Sequence, residues 1–344
     1  MDKRKIIFDC DPGTDDAVAM LVMLNSPEFE ILGITTVNGN RAVELTTENA
    51  LRVVEYVGSD VPVFKGCYLP MVATIHPERR AEFPRYHKVD MHGDYLNLPA
   101  ATIKPQPQHA VSWIIDTLLK SEEKITLVTV GPLTNIGMAL RLAPEIAQKV
   151  DEVLIMGGAY AAANRTPSAE FNIWGDPEAA QIVMQSPMKK ILFPLDATWR
   201  ACIRPADIEE MKEIGTPPAL AAADMISLRI QAYEAQDVSE DNKKLRETPG
   251  SVCSQVLYQM GPSAAAVHDA LPVVYMIDPE VITEMPAAEI NVEIAEGLCD
   301  GRTVIDFHNC AEEKGQISQV AMNADEAKFA SIIKERLNYT KALQ

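Results

Sequence analysis

Short apolar runs alternate with segments of helical spacing along most of this 344-residue chain. Residues 5–8 and 30–37 read as buried strands, each followed by a stretch with apolar residues three and four apart, 15–24 and 43–57. A third strand is expected at 61–64, ahead of an irregular stretch, residues 66–107, rich in Pro and His. The alternation then resumes, with helices expected at 108–119, 134–142 and 177–185 and strands at 125–130, 152–156 and 190–195. Strands separated by helices of this length imply right-handed crossovers. The expected fold class is therefore α/β, an open, mainly parallel sheet with helices on both faces.

The second half changes texture. Residues 206–214 and 218–236 read as helices, the latter rich in alanine, and 237–250 is a charged segment ending in Pro-Gly. Residues 290–295, 303–307 and 318–322 read as a small late antiparallel extension before a helix at 324–337. No repeat or low-complexity linker divides the chain, so residues 1–344 are read as one domain.

Composition narrows the partners. A formal net charge of −18 argues against nucleic acid, because phosphate binding needs clustered Lys and Arg. No apolar run approaches the ~20 residues that span a bilayer, so no membrane partner is expected. The chain enters its first strand pattern by Ile6, which leaves no room for a signal peptide. The six cysteines are scattered without paired spacing and read as reduced thiols, so a cytoplasmic location is expected.

The strongest local signal is Asp9-Cys10-Asp11-Pro12-Gly13-Thr14-Asp15-Asp16-Ala17, which follows a strand and opens a helix. Ligands of open parallel sheets sit beyond the carboxyl ends of the strands, where this loop falls. Four carboxylates within eight residues repel one another, and a hard divalent cation bound through oxygen would neutralise them. Helix capping by Asp15 and Asp16 explains two of the four and leaves Asp9 and Asp11 unexplained. A magnesium-dependent phosphatase could use the same cluster, although no glycine-rich phosphate cradle is present.

The segment 11–17 resembles the DPGxDDA signature of the inosine–uridine-preferring nucleoside hydrolase family. Four more segments are similar, in the family's order. They are Val37-Asn38-Gly39-Asn40, Val130-Gly131-Pro132-Leu133-Thr134-Asn135, Glu170-Phe171-Asn172-Ile173-Trp174 with Asp176-Pro177-Glu178-Ala179, and His268-Asp269. The resemblance implies a Rossmann-like core and calcium-dependent hydrolysis of the N-glycosidic bond of ribonucleosides, giving ribose and free base. It also implies a homodimer or homotetramer.

Carried over by resemblance, Asp11, Asp16 and Asp269 are the carboxylate ligands of calcium, and Val130 offers its carbonyl. Asp9 supports them from behind or ligates directly. Asp15 is the expected general base, placed to take a proton from water, with ligation as its alternative. Asn40, Asn164, Glu170 and Asn172 are expected to hold the ribose, and Met156 either lines the pocket or packs in the core. His268 is the expected acid for the leaving base.

The sequence departs from the family's pattern at Met91-His92-Gly93-Asp94-Tyr95-Leu96-Asn97-Leu98-Pro99, where the glycines expected after His92-Gly93 are missing. His92 is expected near the base, His87 at the surface, and Tyr233 and Tyr258 either over the substrate or in helix packing. Besides the phosphatase, the remaining rival is a non-catalytic nucleoside-binding protein on the same scaffold.

Overall fold

The computed structural model describes residues 3–72, 75, 92–161, 163–234, 264–308 and 317–339. His87, Tyr258 and the charged segment 237–250 lie outside them. Its centre is a nine-stranded sheet. In chain order the strands are β1 (Arg4–Cys10), β2 (Phe29–Thr36), β3 (Val63–Lys65), β4 (Ile125–Thr129), β5 (Val150–Met156) and β6 (Lys190–Phe193). A two-residue pair, β7 (Cys202–Ile203) and β8 (Ala265–Ala266), and the short β9 (Ile282–Glu284) lie outside that sheet. β10 (Ala287–Val292), β11 (Thr303–Asp306) and β12 (Ile317–Val320) complete it.

The spatial order is β11-β10-β12-β6-β5-β4-β1-β2-β3. Every pairing from β12 to β3 is parallel. Successive side chains on the inner strands point to opposite faces, and both faces are covered. Ile6 and Phe8 pack into one core, Ile7 into the other; Val128 and Leu127 divide in the same way. The first core receives the helices α1 (Thr14–Leu24) and α2 (Val43–Tyr56). The second receives α3 (Ala110–Lys120), α4 (Thr134–Leu142) and, further on, residues of the helix Pro177–Met184.

The late extension differs from its expected form. Only β10 runs antiparallel to both of its neighbours, while β12 lies parallel to β6 and joins the strands to the main sheet. The alanines that begin β10 carry little strand signal, so the sequence places this strand three residues late. Three short helices escape the sequence pattern, at Phe171–Gly175, Leu195–Thr198 and Ala270–Ile277. Two have fewer than two turns and the third is apolar almost throughout, which gives helical periodicity nothing to mark. Among the described residues, no helix is long and apolar enough to cross a membrane.

The topology selects one place for a ligand. From β1 the chain moves outward to β2 and β3, then returns to the other side of β1 as β4. The crevice between the carboxyl ends of β1 and β4 is the switch point of the sheet, with Asp9 and Cys10 at the end of β1, Asp11 just after it and Val130 just after β4.

Candidate active site

The loop after β1 is built by its own side chains. Asp16, in the first turn of α1, reaches back so that Oδ1 accepts from Asp11 N at 3.2 Å and Oδ2 from Gly13 N at 3.0 Å. Helix capping thus holds for Asp16, and the dipole favours its charge. It does not hold for Asp11. Asp11 Oδ2 accepts from Asn40 N at 2.6 Å, and its buried Oδ1 has no hydrogen-bond partner among the described residues. The Asn40 side-chain amide donates to Asp11 O at 3.1 Å and Asp16 Oδ2 at 3.3 Å. A Cβ at Gly39 or at Gly131 would collide with the Asp11 carboxylate, so both loops need glycine to approach it.

Asp15, Asp16 and Asp269 are buried, with carboxylate oxygens within 4.8 Å of one another, an arrangement that could hold a metal ion. Burial and repulsion from Asp16 hold the Asp11 carboxyl well above its usual range. Burial, with Asp15 and Asp16, does the same to Asp269. Asp16 is pushed up to about 7 by burial and by Asp15. Asp15 goes the other way. Burial would raise it, but Arg229, His92 and His268 together hold it below the ordinary carboxylate value. Arg229 Nη1 stands 2.9 Å from Asp15 Oδ1.

Asp9 lies behind this group. Its Oδ1 accepts from Thr35 Oγ1 and from Asn135 Nδ2, the latter at 2.7 Å, while the buried Oδ2 has no partner among the described residues. Asn135 also donates to Thr36 O at 3.0 Å and accepts from Cys67 N at 2.9 Å, tying the start of α4 to β2.

The two histidines flank Asp15. His92 Nδ1 accepts from Thr14 N at 3.2 Å and lies 3.9 Å from Asp15 Oδ1. A side chain on Gly13 would collide with this ring. His268 is buried and shares a 2.8 Å hydrogen bond between Nδ1 and Thr198 Oγ1. Trp199 meets its ring edge-on, centroids 4.6 Å apart.

A second group gathers around Val130. Asn172 Nδ2 donates to Val130 O at 2.8 Å, to Met156 O at 3.2 Å and to Met156 Sδ at 3.3 Å. Val130 is expected to end a strand, and the strand stops one residue earlier, at Thr129, leaving its carbonyl in the turn. Glu170 caps the short helix that carries Asn172. Its Oε1 accepts from Asn172 N at 2.9 Å, and Oε2 from Gly158 N at 2.9 Å and Ile173 N at 3.1 Å. Burial still pushes its carboxyl up to about 7. Asn164 Oδ1 accepts from Phe171 N at 3.0 Å, so this residue serves the same turn.

Sequence reading missed Arg229 and Thr198. Arg229 is 2% exposed, on the helix Pro217–Glu234. One signal points to it: a lone cation at helical spacing from Ala222, Met225 and Ile226, all buried. Thr198 carries no comparable signal.

The sequence profile of the inosine-uridine preferring nucleoside hydrolase family matches residues 6–331. An inosine-uridine preferring nucleoside hydrolase of Leishmania major is 38% identical over 336 residues, 97% of each chain. A pyrimidine-specific ribonucleoside hydrolase, RihB, of Escherichia coli O9:H4 (strain HS) is 35% identical over 312 residues, 89% of this chain and 88% of its own. Among solved structures, the purine-preferring ribonucleoside hydrolase from Gardnerella vaginalis superposes with a TM-score of 0.79 at 26% identity. The match covers 99% of this chain and 100% of that one. With an acidic cluster at the switch point of the same fold, the chain belongs to the inosine-uridine preferring nucleoside hydrolase family, hydrolases of N-glycosyl bonds.

Proposed function

We propose that this chain hydrolyses the N-glycosidic bond of ribonucleosides, inosine and uridine among them, at the crevice between β1 and β4, and that it does so with calcium. The observation that carries the reading is Asp11 Oδ1, a buried carboxylate oxygen without a partner among the described residues, in the field of Asp16 and Asp269. Buried carboxylates crowded in this way are costly unless protonated or neutralised by a cation. All of the donors are hard oxygens, the chemistry calcium prefers. Asp11, Asp16, Asp269 and the Val130 carbonyl are its proposed ligands, and Asp9 supports Asp11 from behind. A bound divalent cation would supply Lewis acidity toward water and the ribose hydroxyls.

The sequence assigned the general base to Asp15. The pairing of Asp15 with Arg229 lowers its appetite for a proton, whereas Asp11 keeps a buried oxygen with no partner among the described residues. We therefore assign proton removal from the attacking water to Asp11, and give Asp15 the ribose hydroxyls. Asn40, Asn164, Asn172 and Met156 line the sugar site. Glu170, with three backbone N–H groups already on its carboxylate, orders the helix bearing Asn172 and offers its remaining lone pairs to the sugar. His268, held at Nδ1 by Thr198, protonates the departing base through Nε2. His92, beside Thr14 and Asp15, borders the same space. As a family member the protein is proposed to be a cytoplasmic, single-domain chain forming a homodimer or homotetramer.

The test is reducing-sugar release from inosine, uridine, cytidine, adenosine and guanosine, with added calcium or with chelator. Release that needs calcium supports the whole reading. Release that survives exhaustive chelation would overturn the metal assignment. Release from none of the five would overturn the substrate class.

A further inference from the structure

Arg229 has a partner at every nitrogen. Nε donates to the Ala266 carbonyl at 3.1 Å, and Nη1 donates to Thr14 Oγ1 at 3.2 Å while facing Asp15 Oδ1. Nη2 donates to the Tyr233 hydroxyl at 3.1 Å. One side chain thus joins the first turn of α1, the strand β8 just before His268, and its own helix.

Burying a guanidinium here is expensive unless its charge serves the site. On the metal reading above, four carboxylates, Asp11, Asp15, Asp16 and Asp269, face one guanidinium and leave three negative charges. A divalent cation leaves one. That residue of charge suits a ribosyl ring that becomes singly positive as the base departs. Asp15 is also close enough to Asp16 and Asp269 to be drawn onto the cation itself. Arg229 competes for it.

We propose that Arg229 is a positioning residue that keeps Asp15 out of the cation's ligand set and, as a resident counter-ion, holds down the cluster's affinity for the divalent cation. The inference rests on the metal reading of the same site. It has an unusual consequence, because removing a side chain that merely braces the site would weaken cation binding. Removing Arg229 strengthens it.

The experiment is calorimetric titration with calcium alone of wild type, Arg229→Met, Arg229→Lys and Asp15→Asn. Arg229→Met is expected to bind calcium on the order of tenfold more tightly, since a like charge beside the ion is gone and Asp15 is released to it. Arg229→Lys keeps the charge but cannot bond Ala266, Thr14 and Tyr233 together. It is expected to stay within about threefold of wild type in calcium affinity while losing most sugar release. Weaker or unchanged calcium binding by Arg229→Met would overturn the inference. If circular dichroism shows that this variant does not fold, the comparison moves to Asp15→Asn against Arg229→Met/Asp15→Asn. Tighter binding by the double variant supports the counter-ion, and equal binding overturns it. A wild type that binds no calcium would remove the metal reading and this inference with it.

Discussion

The loop after β1 and the segment from Glu170 to Asp176 both bury carboxylates near the ends of the parallel strands, and they satisfy them differently. Glu170 accepts three backbone N–H groups. Asp176 accepts from Thr134 Oγ1 at 2.7 Å, Met71 N at 2.9 Å and Ala179 N at 3.1 Å. Each of their four oxygens has a donor. In the first loop Asp9 Oδ2 and Asp11 Oδ1 have none among the described residues, and Asp15 Oδ1 faces the charge of Arg229, with His92 further off, rather than a hydrogen-bond donor. A carboxylate with a donor on each oxygen organises the chain. One left open in the interior is held for something that the polypeptide does not supply.

Neutralising one carboxylate of the open loop at a time, Asp11 or Asp15, is expected to have the largest effects. Asp11→Asn should reduce sugar release by roughly a thousandfold, as expected for loss of a proton acceptor, and should abolish calcium binding by calorimetry. Asp15→Asn should retain calcium binding and lose activity through the Michaelis constant as well as turnover. If Asp15→Asn loses turnover alone while Asp11→Asn keeps it, the base belongs to Asp15, as the sequence first suggested.

The proposed transfer of the base from Asp15 to Asp11 rests on a contact that the sequence alone does not reveal. The parallel sheet, the acidic strand end and the segments around Asn40, Val130, Asn172 and Asp269 follow from periodicity, charge and motif. Their physical reasons, such as the glycines at 39 and 131 that let backbone approach Asp11, can be named once the fold is known. Arg229 lies 214 residues beyond Asp15 in the chain, and no local pattern joins the two. On the proposed reading the pairing of charges sets which carboxylate takes the proton, and pairing depends on tertiary packing. The short helix Ala270–Ile277 was hidden for another reason, since a segment apolar all round shows no face.

Asp9 and Asp16 have carboxyls pushed up to about 7 from an ordinary value of 3.8, Asp11 and Asp269 are raised as well, and Asp15 alone in this group is lowered. Between those values the folded, metal-free chain holds protons that the unfolded chain has released. Its stability is therefore fully present below pH 3.8 as far as these groups are concerned, and is lost as pH rises through about 7. Asp15, lowered, contributes with the opposite sign and only below about 3.8, outside this window. The melting temperature in chelator should accordingly fall between pH 5 and 8, and calcium should reverse the fall by taking the place of the protons. A melting temperature in chelator that climbs over that interval would contradict the picture of an uncompensated cluster.

The smallest expected effect tests the satisfied region. Thr134 Oγ1 donates to Asp176 Oδ2, an oxygen that also accepts from Met71 N, so Thr134→Val removes one of three bonds to this buried carboxylate. Valine keeps the shape of the side chain, and the carboxylate keeps a donor on each oxygen. The cost should be about 1–2 kcal/mol in urea unfolding, in the range for a hydrogen bond to a charged group. Sugar release should stay within about twofold of wild type, because Asp176 serves the packing of α4 against the helix Pro177–Met184 rather than the open cluster. A tenfold loss of activity at unchanged stability would show that this region reaches the chemistry, and the division between organising and waiting carboxylates would have to be redrawn.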